Sequence, residues 1–195
     1  MDSQLSSPLL HPLLAGRWSP ARFDVSHVVA DDEVESLLEA ARWAPSAGNS
    51  QPWAFIVGMR GDQSHARLVR HLAGSSAAWA PAASLLLANL VHRYVEETDW
   101  EYSEFSLYDL GQAVAHMSLQ AEALGLSARQ FRAFDRDGVT AEFGVPPHWQ
   151  VTTMTAIGRA AGKARPEGEG PAPSSAGGAP RRRRAVGDIV WPTAR

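Results

Sequence analysis

The amino-acid sequence predicts one domain of the α+β or α/β class with about four strands. The chain has 195 residues, of which 45% are hydrophobic and 20% charged, and these values are typical of a single globular domain. Segments with apolar residues at helical spacing alternate with short apolar runs, which indicates helices and strands mixed along the chain. The longest helical segment carries few charges, so we expect it to be buried on more than one side.

The first predicted elements are a helix and a strand joined by a polar loop. In residues 32–44 the apolar side chains recur at helical spacing, and Asp32 with Glu35 has the spacing of a capping box at the helix start. Residues 53–57 form a short apolar run between a proline and a glycine. This run predicts a buried strand.

The middle of the chain predicts two helices around a second strand. Residues 62–72 have a helical pattern, with Asp62 as the N-cap. Residues 83–91 are too apolar for a surface element and follow a Pro/Ala-rich turn, which favours a buried strand over a buried helix. Residues 107–124 form the long neutral helix, and Gly125 stands where a left-handed C-terminal cap is expected.

The last third of the chain ends in a Gly/Pro-rich loop and an arm. Residues 136–143 predict a weaker helix, and the threonine-rich residues 151–157 predict a strand. Residues 161–180 contain many Gly and Pro residues and are predicted to form a flexible loop. Residues 181–195 begin with four arginines and continue with strand-like apolar residues, so they predict a C-terminal arm that packs on its own domain or on a partner subunit.

Composition excludes several classes of function. With 18 basic and 21 acidic side chains the net charge is −3, which argues against a nucleic-acid-binding protein. The absence of cysteine excludes disulfides, thiolate nucleophiles, zinc–thiolate sites and iron–sulfur clusters, and no histidine pair predicts a metal site. No apolar run reaches the ~20 residues of a membrane span, and the first residues lack a basic signal-peptide region. We therefore expect a cytoplasmic protein without a membrane partner.

Two polar segments are candidates for ligand binding. In residues 17–24, Arg17 and Arg22 flank Ser19, and this set of forked donors and a hydroxyl suits a phosphate. The alternative is a solvated turn ahead of the first long helix. Residues 44–53 combine small residues and prolines with polar side chains. The small residues allow the backbone to approach a flat ligand closely, and the polar side chains can bind it. The alternative there is an ordinary helix–strand connection.

Taken in order along the chain, these segments resemble the nitroreductase family, flavin-dependent oxidoreductases that bind FMN at a dimer interface. The most specific match is the string Pro-Ser-x-x-Asn-x-Gln-Pro-Trp at residues 45–53. The resemblance runs from about residue 16 to 190, through residues 17–24, 44–53, 107–114, 120–126, 130–135 and 156–159. It implies an α+β fold in three layers, in which helices flank a central, mostly antiparallel sheet. It also implies one domain over residues 1–195, whose C-terminal arm is exchanged in a homodimer.

The resemblance also implies which residues bind the cofactor. Arg17 and Ser19 fall on phosphate-binding positions, and the basic arm returns to the same phosphate. Asn49 is the expected side-chain donor of the 46–51 loop, and the backbone of residues 130–134 presents N–H groups to flavin N5. No side chain is expected to act as a catalytic acid or base. The implied cofactor-binding residues are Arg17, Trp18, Ser19, Ala21, Arg22, Pro45, Ser46, Ala47, Gly48, Asn49, Gln51, Gln130, Phe131, Arg132, Ala133, Arg182 and Arg184.

Within the arm, Arg182 and Arg184 are the expected phosphate ligands because residues two apart share one face of an extended chain. A solvated basic patch is the alternative interpretation of the four arginines.

Two departures from the family pattern bear on turnover. Relatives often carry a basic residue at the position of Ala21, where a cation stabilises the negative charge of reduced flavin. Either the backbone shifts there, or another group such as Arg129 or Arg132 takes over, or the flavin has a lower potential. Relatives also tend to have Gly at the position of Ala133, where a backbone with positive φ would cost Ala about 1 kcal/mol.

The expected activity is hydride transfer from NADH or NADPH through FMN to a flat aromatic acceptor such as a nitroaromatic or a quinone, with ping-pong kinetics. The acidic, aromatic residues 96–104 predict a mobile lid over the site, or else a solvated loop. The alternatives are a specialised flavin-dependent dehydrogenase or dehalogenase of one metabolite, and a protein that binds or stores FMN without turnover.

Overall fold

A four-stranded antiparallel sheet lies at the centre of the molecule. In the computed structural model, residues 10–161 and 182–191 are described. The strands are arranged in the order β1-β2-β4-β3, so β1 and β3 are the edge strands. Their bounds are β1 Trp53–Met59, β2 Leu85–His92, β3 Ser127–Phe131 and β4 Trp149–Gly158.

Helices cover both faces of the sheet. Their bounds are α1 Pro12–Gly16, α2 Asp31–Arg42, α3 Gln63–Arg70, α4 Gly74–Ala77, α5 Ser106–Ala123 and α6 Arg136–Phe143. Single 3-10 turns lie at Ala47–Asn49, Ala80–Ala82 and Val186–Ile189. None of the helices in the described ranges has the length and apolarity needed to cross a membrane.

The buried side chains form two main clusters, one on each face of the sheet. Along β2, Leu85 and Leu87 pack against α2 and α5, whereas Leu86 and Ala88 pack on the opposite face with α3 and α6. Successive residues of a strand point to opposite faces, so a central strand that is apolar throughout is buried on both sides. The predicted three-layer fold with a mostly antiparallel sheet is confirmed.

Most predicted helices are confirmed, but the start of α2 differs from the prediction. The helix begins at Asp31, and the Ala30 N–H donates to the Glu33 carboxylate at 2.8 Å. The predicted capping pair of Asp32 and Glu35 is therefore wrong, because the chain enters the helix one residue earlier than the pattern indicated. The predicted cap at Asp62 is confirmed, since its side chain accepts from the His65 N–H at 2.6 Å.

Two segments differ more from the sequence prediction. Residues Ser127–Phe131 form a strand, whereas the sequence analysis assigned only a binding segment there. The strand is short, lies at the sheet edge and contains Arg129 and Gln130, so it has little apolar pattern. In the arm, Val186–Ile189 forms a 3-10 turn and not a strand, because the Asp188 carboxylate accepts from the Ala185 N–H at 3.2 Å. Apart from Ala161, the predicted loop 161–180 lies outside the described residues, as do Arg181 and residues 192–195 of the arm.

Candidate functional site

The loop between α2 and β1 has an unusual backbone. Gly48, Asn49 and Gln51 adopt left-handed φ values of 58°, 56° and 48°. Only Gly takes this conformation without steric cost, and Asn tolerates it better than Gln does. The Ser46 hydroxyl accepts from the Gln51 N–H at 3.0 Å, which closes the loop on itself. The Asn49 side chain is exposed and makes no hydrogen bond to other described residues, so its amide is available to a ligand.

A buried carboxylate holds this loop against α5. Asp109 lies in the first turn of α5, is only 2% exposed, and accepts from the Ala47 N–H at 3.0 Å. Gln112, one turn further on, donates to Asp109 at 3.3 Å and to the Pro45 carbonyl at 3.4 Å. Sequence reasoning gave these two residues no role. The available sequence signal was a carboxylate in the first turn of a helix whose only other acidic residue is Glu122, near its end.

Residues 17–24 are fixed at their C-terminal end against the sheet. The Asp24 N–H donates to the Arg159 carbonyl at 2.8 Å, and Phe23 is 3% exposed. Phe23 stacks on Trp79, with 6.3 Å between the ring centroids. Ser19 is exposed and Pro20 is buried, so the chain passes from the protein surface into the core between these two residues.

Residues 130–134 comprise the last two residues of the edge strand β3 and the three that follow it. The side chains of Gln130 and Phe131 point to opposite faces of the sheet. Gln130 donates to Ser118 of α5 at 3.3 Å, whereas Phe131 packs edge-on to Trp79 at 5.0 Å. In the described part of the chain, no acceptor takes the backbone N–H groups of Arg132 and Ala133. Two neighbouring N–H groups are therefore available to a ligand at the end of this strand.

The backbone at Ala133 is not strained. Among the described residues, positive φ angles at positions other than Gly occur only at Asn49, Gln51 and Glu97. The Ala133 carbonyl accepts from the Ala73 N–H at 3.1 Å and from the Ser76 hydroxyl. The steric cost considered for Ala at this position therefore does not arise.

Arg129 connects residues 17–24 with the end of β3. Its guanidinium donates to the Pro20 carbonyl at 3.1 Å and lies over the Trp79 ring, 3.9 Å from the centroid. Burial lowers the pKa of Arg129 from its ordinary value, because a desolvated cation is disfavoured. Trp79, which the sequence analysis did not single out, thus contacts Phe23, Arg129 and Phe131 together.

The structure brings residues 17–24 and 129–134 together through Arg129 and Trp79, whereas the 46–51 loop and the arm make no hydrogen bond to them within the described residues. No hydrogen bond within the described ranges joins the 46–51 loop to either of the other two segments. In the arm, every described residue is exposed, and the Arg184 guanidinium donates to the Asp188 carbonyl of the arm itself. Within the described residues, hydrogen bonds and ring contacts therefore join only two of the four predicted binding segments, residues 17–24 and 129–134.

The acidic segment 96–104 is attached at both ends. Glu101 pairs with Arg93 at 3.0 Å, and Glu96 pairs with His148 at 3.3 Å. Tyr102 stacks on His92, with ring centroids 3.9 Å apart. Between these contacts Trp100 is 77% exposed, so an aromatic surface of this segment is free to meet a ligand.

Comparisons with known proteins find similar sequences. The family model described as "Nitroreductase family" matches residues 14–79 and 60–159. A Rhodopseudomonas palustris (strain TIE-1) protein named "Putative NADH dehydrogenase/NAD(P)H nitroreductase" is 27% identical over 177 residues, which are 81% of this chain and 88% of the relative.

Solved structures share the fold. One, described as an oxidoreductase containing FMN, has a TM-score of 0.81 and 27% identity, over 95% of this chain and 92% of its own. A nitroreductase family protein from Clostridium difficile 630 has a TM-score of 0.69 and 22% identity, over 92% and 95% of the two chains.

Proposed function

Because the chain belongs to the nitroreductase family, we propose that it is an FMN-dependent NAD(P)H oxidoreductase that delivers hydride to a flat aromatic acceptor such as a nitroaromatic or a quinone. The structurally similar oxidoreductase contains FMN, and the Rhodopseudomonas relative is named for NAD(P)H nitroreduction. Both cover most of this chain, which supports the assignment of cofactor and co-substrate.

The observation that carries the proposal is the pair of unpaired N–H groups at Arg132 and Ala133. When FMN is bound, its N5 atom accepts and passes on the hydride. A fixed backbone donor suits that atom, because it favours electron density there without itself reacting. The described residues thus fit the cofactor, and the chemistry requires no acid or base from the chain.

The other proposed contacts with FMN are assigned from the chemistry of the side chains. We assign the phosphate to Arg17, Ser19, Arg182 and Arg184, because a dianion needs several strong donors. The 45–51 loop would line the ring and ribityl chain, with the free Asn49 amide as donor. Trp18, Ala21 and Arg22 would border the ring from the first segment, and Gln130 and Phe131 would position the backbone that follows them.

A homodimer would complete this site. Among the described residues no hydrogen bond joins the 46–51 loop or the arm to residues 17–24, so a second copy is the simplest source of the additional contacts. The outer surface offers an interface: Trp43 is 72% exposed and Tyr108 is 69% exposed. Beside Trp43 an open cavity of about 300 Å³ is lined by Leu13, Ala40, Trp43, His116, Leu119 and Gln120. Such exposed apolar surfaces mark interaction sites.

We expect the purified chain to have the mass of a dimer in light scattering at micromolar concentration, with or without added FMN. Replacing Tyr108 by Glu places a charge in the proposed interface and should shift the mass towards the monomer. The matched control is Trp100→Glu, because Trp100 is also a highly exposed aromatic residue but lies in the acidic 96–104 segment. A monomeric wild-type chain would contradict the dimer.

The reaction is proposed to follow a ping-pong order with one shared cavity. The sequence contains no G-x-G-x-x-G dinucleotide-binding fingerprint, so the reductant and the acceptor would occupy the same place in turn. The exposed acidic segment 96–104 would border that cavity and would disfavour anionic acceptors and, mildly, the additional phosphate of NADPH.

The test is a visible absorption spectrum before and after anaerobic addition of NADH or NADPH. We expect an oxidised-flavin band that bleaches within seconds and returns when a quinone is added. A flavin band that resists both nucleotides would favour a metabolite-specific dehydrogenase or an FMN-storage protein. Failure to bind added FMN would overturn the proposed function.

A further inference from the structure

We propose that Arg129 is the residue whose positive charge stabilises the reduced form of the cofactor, in place of the basic residue absent at Ala21. This inference rests on the proposed function. It assigns a positioning and electrostatic role to one side chain of this particular sequence.

The guanidinium is held at the junction of two proposed cofactor-binding segments. Arg129 belongs to β3, three residues before the free N–H of Arg132. Its Nη1 donates to the carbonyl of Pro20, the residue that immediately precedes Ala21. The charge therefore lies next to the backbone position at which the resemblance implies a cation.

The ring of Trp79 holds the guanidinium in this position. The 3.9 Å distance from Cζ to the ring centroid is a close cation–π contact. Trp79 is itself fixed between Phe23 and Phe131. Arg129 therefore does not depend on a ligand to be ordered, so its charge is already in place when a ligand arrives.

No carboxylate of the described residues pairs with this charge. Among the ion pairs of the described residues, none includes Arg129. A guanidinium has five N–H donors, and the hydrogen bonds of the described residues use one of them, at Pro20. A half-buried cation without a counter-charge is costly, and an anionic ligand beside it would remove that cost.

The two neighbouring arginines, Arg22 and Arg132, are less suited to stabilise the reduced cofactor. Arg22 is exposed, and within the described residues its side chain makes no hydrogen bond or ion pair. Arg132 is also exposed and lies over the Phe134 ring, 5.3 Å from the centroid. An exposed charge is screened by water and salt, so it stabilises a bound anion less than a partly buried one.

The consequence is a difference between the two redox states. Oxidised FMN is neutral in its ring, whereas the two-electron reduced ring carries negative charge. A cation nearby therefore strengthens binding of the reduced state more than binding of the oxidised state. Each tenfold loss of this preference lowers the two-electron potential by about 30 mV.

The experiment measures the midpoint potential of protein-bound FMN in wild type, Arg129→Met, Arg129→Gln and Arg129→Lys, by anaerobic equilibration with a reference dye. We expect both neutral variants to lose a 10- to 100-fold preference for reduced FMN, and Arg129→Lys to retain most of it. Arg129→Gln keeps an N–H donor for Pro20 and guards against misfolding of Arg129→Met. Each variant is measured with folded apoprotein in excess over FMN and with free FMN checked by ultrafiltration, so flavin released by partial unfolding does not imitate the effect.

The comparison variants are Arg22→Met and Arg132→Met, which test the other two arginines, and Arg60→Met. Arg60 is also without a carboxylate, but it donates to the Ala82 and His27 carbonyls outside the proposed site. Neutral Arg129 variants with the wild-type potential would overturn the inference while leaving the proposed function intact, and so would a larger effect at Arg22 or Arg132. A wild-type chain that binds no FMN would overturn both.

Discussion

Replacing Arg182 and Arg184 together by methionine is expected to weaken FMN binding by about 100-fold. A hydrogen bond to a charged group contributes about 1.5 kcal/mol at the low end of its range, and two such contacts amount to roughly 3 kcal/mol, or two decades in Kd. Both arginines are exposed in one chain, and their described hydrogen bonds stay within the arm, so their loss should not destabilise the monomer fold. The measurement is a fluorescence titration of the apoprotein with FMN.

Riboflavin and a second double variant give the controls for this prediction. Riboflavin has no phosphate, so its affinity should be the same in wild type and in the Arg182/Arg184 variant. Replacing Arg181 and Arg183 by methionine removes the same charge from the opposite side of an extended chain and should change FMN affinity several-fold at most. Equal losses in the two double variants would indicate a diffuse basic patch, and the assignment of Arg182 and Arg184 would then be wrong.

Replacing Asp109 by alanine is expected to lower both stability and FMN affinity. The substitution removes the acceptor of the Ala47 N–H and of the Gln112 amide, and it leaves a cavity in a buried position. Loss of hydrogen bonds to a charged group suggests a cost of about 2 kcal/mol, or roughly 4–8 °C in Tm for a chain of this size. Since the carboxylate also fixes the 46–51 loop, FMN affinity should fall about tenfold.

The Asp109→Asn variant separates the effect of the hydrogen bond from the effect of the negative charge. Asparagine keeps one oxygen for the Ala47 N–H, so we expect it to retain most of the FMN affinity and more than half of the lost stability. Thermal unfolding without FMN and titration with FMN measure the two effects separately. If Asp109→Ala destabilised the chain but bound FMN as tightly as wild type, the 46–51 loop would not depend on α5 for its binding conformation.

The elements predicted best from the sequence are those whose local pattern agrees with their final environment. Residues 136–143 and the end of α5 at Gly125, with its φ of 72°, match the prediction because caps and helical stripes are encoded within a few residues. β2 was predicted because a strand buried on both faces is apolar throughout. In contrast, β3 has little apolar pattern because it lies at the sheet edge, where Arg129 and Gln130 are tolerated.

For the site, the sequence by itself determined the family resemblance and with it the set of segments that would bind FMN. The motif at residues 45–53 is local, so its residue types can be identified without coordinates. Only the tertiary structure decided that Asp109 holds this loop, that Trp79 joins Phe23 to Phe131, and that Arg129 rather than Arg22 or Arg132 has a fixed, partly buried charge. Those contacts join residues far apart in the chain. Their energies depend on burial and on missing counter-charges, which exist only after the sheet and its two helical layers have formed.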